Sequence, residues 1–397
     1  MHSGALAHLR VLDLSRVLAG PWASQVLADL GAEVIKVERP FAGDDTRAWG
    51  PPYLAGESAY FISTNRGKKS ITVDLSRPEG QEIVRRLAAR SDALLENFKA
   101  GALERYGLGY AQLAPLNPRL VYCSISGFGQ TGPYRDRAGY DFLVQGMGGL
   151  MSITGEPEGE PMKVGVAVTD ILTGMYAATA ILAALTHRDR SGRGQHIDLA
   201  LLDVQVAMLA NQAESFLVTG SPPERMGNAH PSIVPYRAFA ARDGHLVLAV
   251  GNDGQFARLC TVAGRPELAS DARFATNAAR VRNRRELEPM LAAIIAQRPR
   301  QEWIASLEAA GVPCGPINDL AQVFADPQVR HRGLQVEAPH AQAGTVPMVR
   351  SPLRLSETPA RSDVPPPLLG EHTFEVLKEV LQMSSAEIEA LRAGGVI

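Results

Sequence analysis

The chain has 397 residues, 45% of them hydrophobic and 21% charged, with 40 Lys and Arg against 42 Asp and Glu for a formal net charge of −2. That length suits two or three domains with a sizeable core, and the hydrophobic share excludes a disordered chain. The charge balance argues against a protein built on a basic nucleic-acid or anionic-membrane face, although a local cluster can still hold a phosphorylated small molecule.

In chain order, residues 9–14 (LRVLDL) form a short apolar run read as a first strand, followed by a loop at 15–20. Pro21 suits the first turn of a helix reaching Leu30, because its missing N–H has no intrahelical partner there. Gly31 closes that helix, and 33–38 (EVIKVE) alternates with period two as a second strand. Residues 70–75 read as a strand, with Ser76 as the cap of a helix opening near Pro78. Residues 94–98 and 120–126 complete the set. Strands separated by helices of this length predict βαβ units and a mostly parallel sheet.

The middle of the chain carries an apolar helix at 171–186, the polar turn RDRSGRG, a strand at 196–201 and a helix at 202–218. Gly, Pro and Ser cluster in 220–232 (GSPPERMGNAHPS), which reads as a linker. Beyond it, 236–240 and 245–250 flank ARDG, a hairpin signal, and charged helices follow. The tail carries Pro365-Pro366-Pro367 and an amphipathic helix at 371–382 that is expected to return to the first domain. The expected domains are therefore 1–220, a linker at 221–232, a small α+β domain at 233–330 and a return segment at 331–397.

Cys123, Cys260 and Cys314 are far apart and form no CxxC pair, so neither a zinc site nor a disulfide framework is indicated, and no metal is expected. The start of the chain has no apolar stretch of signal-peptide length, and no apolar run reaches the roughly 18 residues of a membrane span. The expectation is a soluble cytoplasmic protein with no nucleic-acid or membrane partner.

Gly127, Gly129 and Gly132 spell GxGxxG after a strand. A dinucleotide loop must open a helix facing a pyrophosphate, whereas Pro133 and the polar YRDRAGYD follow here. These glycines are expected to shape a loop. Asp170 is a stronger signal: one carboxylate after VAVT, at the mouth of a helix whose Ile171, Leu172, Met175, Ala178, Ile181, Leu182 and Leu185 follow helical spacing. Position alone leaves two readings open, an ordinary N-cap or an anionic nucleophile.

The segments RVLDLSRVLAGPWASQVLADLGAEVIKVERP, NRGKKSITVDLSRPEG, ENFKAGALERYGL, SGFGQTGPYRDRAGYD, VTDILTGMYAATAIL, GRGQHIDLALLD and VGNDGQFARLC resemble, in order and over nearly the whole chain, the class III (CaiB/BaiF, formyl-CoA transferase-like) coenzyme A-transferases. The resemblance implies a Rossmann-like large domain made from both chain ends, a smaller inserted domain, and an interlocked homodimer. It implies that Asp170 is the nucleophile, forming an aspartyl-acyl anhydride and then an aspartyl-CoA thioester. No tightly bound cofactor is implied; coenzyme A, acyl-CoA and small carboxylic acids are the substrates.

By the same resemblance, Val17 and Leu18 lie along the CoA chain, Arg39 faces the adenine or its phosphates, and Asn97, Phe98, Arg105 and Tyr106 line the nucleotide end. Tyr140 and Asp141 match a Tyr-acid pair beside the nucleophile. Gly251, Asn252, Asp253, Gly254 and Gln255 match a mobile glycine-rich loop that covers the intermediates. Leu18 stands where formyl-CoA transferase has glutamine, and the loop is not all glycine. The pattern is more similar to the branch using succinyl-CoA and C4–C6 dicarboxylates such as glutarate or itaconate. A distal carboxylate would need a cationic partner, with Arg47 and His230 as candidates. The alternatives are an α-methylacyl-CoA racemase and a non-catalytic CoA-binding protein. The racemase histidine is replaced here by Tyr140, whose ordinary pKa of about 10 makes it a poor base at neutral pH.

Overall fold

The computed structural model describes residues 4–397. The chain divides into two compact units, one of Met1–Leu150, Val164–Glu214 and Pro327–Ile397, the other of Met151–Lys163 and Ser215–Asp326.

The first unit is built on six strands, β1 (Arg10–Asp13), β2 (Glu33–Glu38), β3 (Lys68–Thr72), β4 (Ala93–Glu96), β5 (Val121–Ser126) and β6 (His196–Ala200). All pair in parallel, in the order β3-β2-β1-β4-β5-β6. The connecting helices include α1 (Ala19–Asp29), α2 (Pro78–Ala88), α3 (Asp141–Met147), α4 (Val168–Ser191), α5 (Leu201–Met208) and α6 (Ala210–Thr219). Alternate strand residues feed two cores, as a pleated sheet covered on both faces requires. Leu12, Ile35, Ile71 and Leu94 pack with Ile83, Val84 and Leu87 of α2 on one face. Val11, Val34, Leu95 and Val121 pack with Ala23 and Leu27 of α1 and Ala177 and Ile181 of α4 on the other.

The C-terminal segment joins the first of these cores through Val376, Leu377, Leu381 and Ile388. It is also stitched to β3, where Thr72 N–H donates to Thr373 Oγ1 at 3.0 Å and Lys69 pairs with Glu375 at 2.7 Å. In the second unit, β7 (Tyr236–Ala241), β8 (Gly244–Ala249) and β9 (Cys314–Pro316) form an antiparallel sheet over Phe256, Leu259, Trp303 and Leu307.

Four sequence expectations need correction. The third strand lies at Lys68–Thr72, earlier than 70–75. Ser76 is not the cap of α2: its N–H and hydroxyl both bond Asp74 Oδ1, and Arg77 takes the cap position. The stretch 202–218 is two helices, broken where Ala210 adopts φ +45°. In α4, Ala178, Ile181 and Leu185 of the expected stripe are buried, but beside them lie the small residues Gly174, Ala177 and Ala184, while Met175 and Tyr176 are exposed. Close approach of α1 requires that choice, since a Cβ on Gly174 would lie 2.7 Å from the Ala19 carbonyl oxygen. Among the described residues α4 alone is long and apolar enough to cross a membrane by length and composition; half of its apolar window is buried.

Candidate active site

Strand order reverses between β1 and β4, and in open parallel sheets the crevice at the carboxyl ends of such a pair is where ligands bind. The loop leaving β1 is fixed there by three side chains. Asn97, just past β4, accepts from Arg16 N–H at 2.8 Å and donates back to Arg16 O at 2.6 Å. Asp44 Oδ1 accepts from Val17 N–H at 3.2 Å, and Lys36 Nζ donates to Ser15 O at 2.8 Å. The clamp holds Val17 at φ +71°, a left-handed conformation that a β-branched residue rarely adopts. Leu18 is buried and leads directly into α1.

Behind the loop lies a buried charged network. Lys36 and Asp44 pair at 2.9 Å with both side chains fully buried, and Lys68 reaches Asp13 at 3.3 Å. Burial alone would raise the Asp44 carboxyl, but Lys36 and the Thr46 N–H outweigh it and hold it at about 2. Burial pulls the Lys68 ammonium down to about 8 despite Asp13. Arg47 is committed to the same network, bonding Glu38 through two nitrogens and Glu57 through a third. Its guanidinium is thus already satisfied by protein carboxylates.

In front of the loop opens a cavity of about 310 Å³, lined by Arg16, Arg39, Gly43, Ser76, Phe98 and Tyr106 among others. It brings together three residues expected at the nucleotide end, Arg39, Phe98 and Tyr106, and adds Arg16, whose guanidinium lies 5.3 Å from the Phe98 ring. Arg16 and Arg39 both pair with Asp45, at 2.8 and 2.6 Å. Two forked cations beside one carboxylate are suited to taking phosphate oxygens. Arg105 is exposed and is not among the lining residues.

Asp170 stands third in α4, whose cap residue Ala167 offers no side-chain bond. The capping is done from elsewhere: Asp141 Oδ1 accepts from Thr169 N–H at 2.8 Å and from Asp170 N–H at 3.2 Å. The other Asp141 oxygen accepts from Gln145 Nε2 at 2.6 Å, and Gln145 Oε1 accepts from Val164 N–H at 2.9 Å. Thr169 Oγ1 donates to Gln205 Oε1 at 2.6 Å. The Asp170 carboxyl is thereby left without a capping duty. Burial, then the charge of Asp141, push it up to about 7. One turn along, its helix touches the start of α1 at Gly174 and Ala19.

Of the Tyr-acid pair, only Asp141 is buried; Tyr140 is 64% exposed. Sequence reasoning missed Tyr60, whose phenol is raised to about 12 by burial and by Asp170, Asp141 and Asp44. It meets Trp49 edge-on, with ring centroids 5.3 Å apart. No motif flags Tyr60; only the fold carries it near the carboxylates.

In the second unit, 251–255 form the capped start of a helix, α7 (Asp253–Val262), rather than a bare glycine loop. Asn252 Oδ1 accepts from Gln255 N–H at 2.9 Å, and Gln255 Oε1 accepts from Gly251 N–H at 2.7 Å. Asp253 pairs at 2.8 Å with Arg280, a fully buried residue that also bonds the carbonyls of Val234 and Phe274. His230 Nδ1 accepts from Ser232 N–H at 3.0 Å. The glycines of the GxGxxG string shape a loop: Gly127 abuts Gly139, and Gly129 and Gly132 take φ of +91° and +88°.

The whole chain is similar to proteins already known. Residues 6–373 match the profile of CoA-transferase family III. The chain is 55% identical over 381 residues to a succinate–glutarate CoA-transferase of Agrobacterium fabrum, covering 94% of this chain and 95% of that one. It is 48% identical over 392 residues to a mouse succinyl-CoA:glutarate CoA-transferase, covering 99% and 90%. The crystal structure of a CAIB/BAIF family protein from Brucella suis superposes with a TM-score of 0.85 at 51% identity, over 95% of this chain and 100% of that one.

Proposed function

The chain belongs to CoA-transferase family III and is an enzyme that transfers coenzyme A, and we propose that it carries CoA from succinyl-CoA to glutarate or a dicarboxylate of similar length. The observation that carries this reading is Asp170: a carboxylate freed from capping by Asp141, one helical turn before Gly174, which packs on Ala19 at the start of α1. The names of the relatives supply the acids.

In the proposed reaction an Asp170 oxygen attacks the succinyl thioester carbonyl. The C–S bond breaks and CoA leaves as thiolate, giving a mixed anhydride. The thiolate then attacks the aspartyl carbonyl, the anhydride C–O bond breaks, and succinate departs. A glutarate carboxylate attacks the aspartyl thioester, expelling thiolate again. Thiolate attack on the glutaryl carbonyl of the new anhydride releases glutaryl-CoA and restores Asp170. Each step exchanges one activated acyl bond for another, so no ATP is needed. Water must be kept from both intermediates. The resemblance assigns that task to 251–255, and the anchored Asp253–Arg280 pair gives this segment a fixed base. Phosphates of CoA fit Arg16 and Arg39, with Phe98 and Tyr106 lining the same cavity.

The proposal extends to assembly and layout: an interlocked homodimer, with a large domain from both chain ends and a smaller insert, acting in the cytoplasm. Support for a second copy comes from apolar side chains left uncovered on helices of the first unit, Phe142, Leu143 and Met147 of α3 with Met175 and Tyr176 of α4. The test is mass spectrometry after incubation with succinyl-CoA and trapping with hydroxylamine or borohydride. Modification mapped to Asp170, with CoA exchange across a panel of acceptor acids peaking at glutarate, is the expected result. An unmodified Asp170 in an enzyme that still exchanges CoA refutes the covalent route, and tight CoA binding without exchange for any acid returns the reading to a binding protein.

A further inference from the structure

We infer that Phe41 is a stacking residue for the adenine of coenzyme A; the inference rests on reading the Arg16–Arg39 cavity as the nucleotide end of the site. Phe41 is 94% exposed, the most exposed large apolar side chain among the described residues. Its backbone is left-handed, at φ +64°, where a residue with a side chain is disfavoured. A phenyl ring held in water on such a backbone is costly on both counts, and none of the ring or cation–π contacts among the described residues involves it. Residues in sparsely populated backbone regions gather at ligand sites, where a bound partner offsets what the free chain does not.

The placement names the ligand part. Phe41 sits mid-turn between Arg39 and Gly43, and both of these line the cavity. The turn is closed by Gly43 N–H to Arg39 O at 3.0 Å and Ala42 N–H to Pro40 O at 2.7 Å. It is rigid from behind: a Cβ on Gly43 would lie 2.7 Å from Arg47 Cδ, and Asp44 N–H donates to Glu38 Oε2 at 2.9 Å. The backbone at Phe41 is therefore held in place, and its ring stands in solvent two residues from a phosphate-binding arginine candidate. Coenzyme A has one flat aromatic part, the adenine, and its phosphates adjoin it. A purine face on a phenyl face is a favourable, shape-tolerant contact.

The test compares succinyl-CoA with succinyl-pantetheine, which has the same thioester but no nucleotide, as donors for the full-length enzyme and its Phe41→Gly, Phe41→Leu and Phe41→Trp variants. Glycine suits φ +64°, so Phe41→Gly is expected to melt no earlier than the parent. It should raise KM for succinyl-CoA about 5- to 100-fold with kcat unchanged and leave KM for succinyl-pantetheine as it was. Phe41→Leu, which keeps apolar bulk but no π face, should behave like glycine, and Phe41→Trp should restore the parent value. Should the parent enzyme show the same KM for both donors, the nucleotide-cavity reading fails and this inference with it. Should the parent prefer succinyl-CoA and Phe41→Gly keep that full preference, the stacking assignment alone is overturned. An equal loss on both donors, or a change in oligomeric state without a change in KM, also overturns it.

Discussion

Asp141 holds Asp170 by the backbone rather than by the side chain: Oδ1 of Asp141 accepts the Asp170 N–H at 3.2 Å and the Thr169 N–H at 2.8 Å. The positive end of α4 is thereby occupied by Asp141, whose charge opposes ionisation of Asp170. With the Asp170 carboxyl near 7, kcat/KM should rise with pH along a limb centred at about 7, as the attacking carboxylate forms. Asp141→Asn keeps an acceptor oxygen but removes the charge, so the limb should move to lower pH. A pH profile of that variant superimposable on the parent's excludes Asp141 as the tuning charge.

Asp170→Asn should abolish exchange while stabilising the fold. The native carboxyl pKa of about 7 lies above the ordinary value of 3.8, so the native state holds this proton more tightly than the unfolded chain. Its contribution to stability is full below pH 4 and is lost as pH rises to about 7. The asparagine variant has no such loss and should exceed the parent by on the order of 2 kcal/mol at pH 8, allowing for the site's partial exposure, with little gain at pH 4. Denaturant titrations at the two pH values measure this; a variant less stable than the parent at pH 8 contradicts it.

Glu96 gives a second pH signature, away from the reacting carboxylate. It is buried at the end of β4, accepts from Phe98 N–H at 2.8 Å, and is raised to about 7 by burial, with Asp198 adding to the rise. Stability stored in the protonated form is lost between pH 4.5 and 7. Glu96→Gln should flatten that decline and add about 2–3 kcal/mol at pH 8. Parallel stability curves for the two proteins from pH 5 to pH 8 would falsify this.

Val17→Gly tests the clamp. Relief of a left-handed valine is worth about 1–2 kcal/mol and the added chain freedom of glycine costs about 0.5–1, so global stability should rise by no more than about 1.5 kcal/mol. The loop loses its preset shape, and kcat/KM for succinyl-CoA should fall about tenfold or more. Asn97→Ala removes both bonds to Arg16 and should lower activity in the same direction while costing about 1–2 kcal/mol of stability. Full activity in both variants would mean that the loop needs no clamp.

Much of the fold was legible one segment at a time. The alternation in EVIKVE and the run VYCSIS mark β2 and β5, because period and β-branching are local properties. Asp170 was visible as a carboxylate opening an apolar helix, and long shared motifs identified the family. What failed locally failed for tertiary reasons. Ser76 resembles a cap, but Asp74 two residues earlier captures it. Met175 fits the apolar stripe of α4, yet the close approach of α1 selects glycine and alanine for burial instead.

The sequence by itself determined the α/β alternation, which rests on residue type and spacing, and, through the order of its shared motifs, the family and with it the nucleophile candidate. Only the tertiary structure decided that Asp141 caps α4 from 28 residues away, that Asn97 clamps Arg16 across the switch point, and that Tyr60 stands near the carboxylates. It also decided that Arg47 is spent on Glu38 and Glu57. Those assignments depend on which distant side chains share a few ångströms of low-dielectric space. No local pattern encodes that, because hydrogen bonding and burial act between neighbours in space and not between neighbours in the chain.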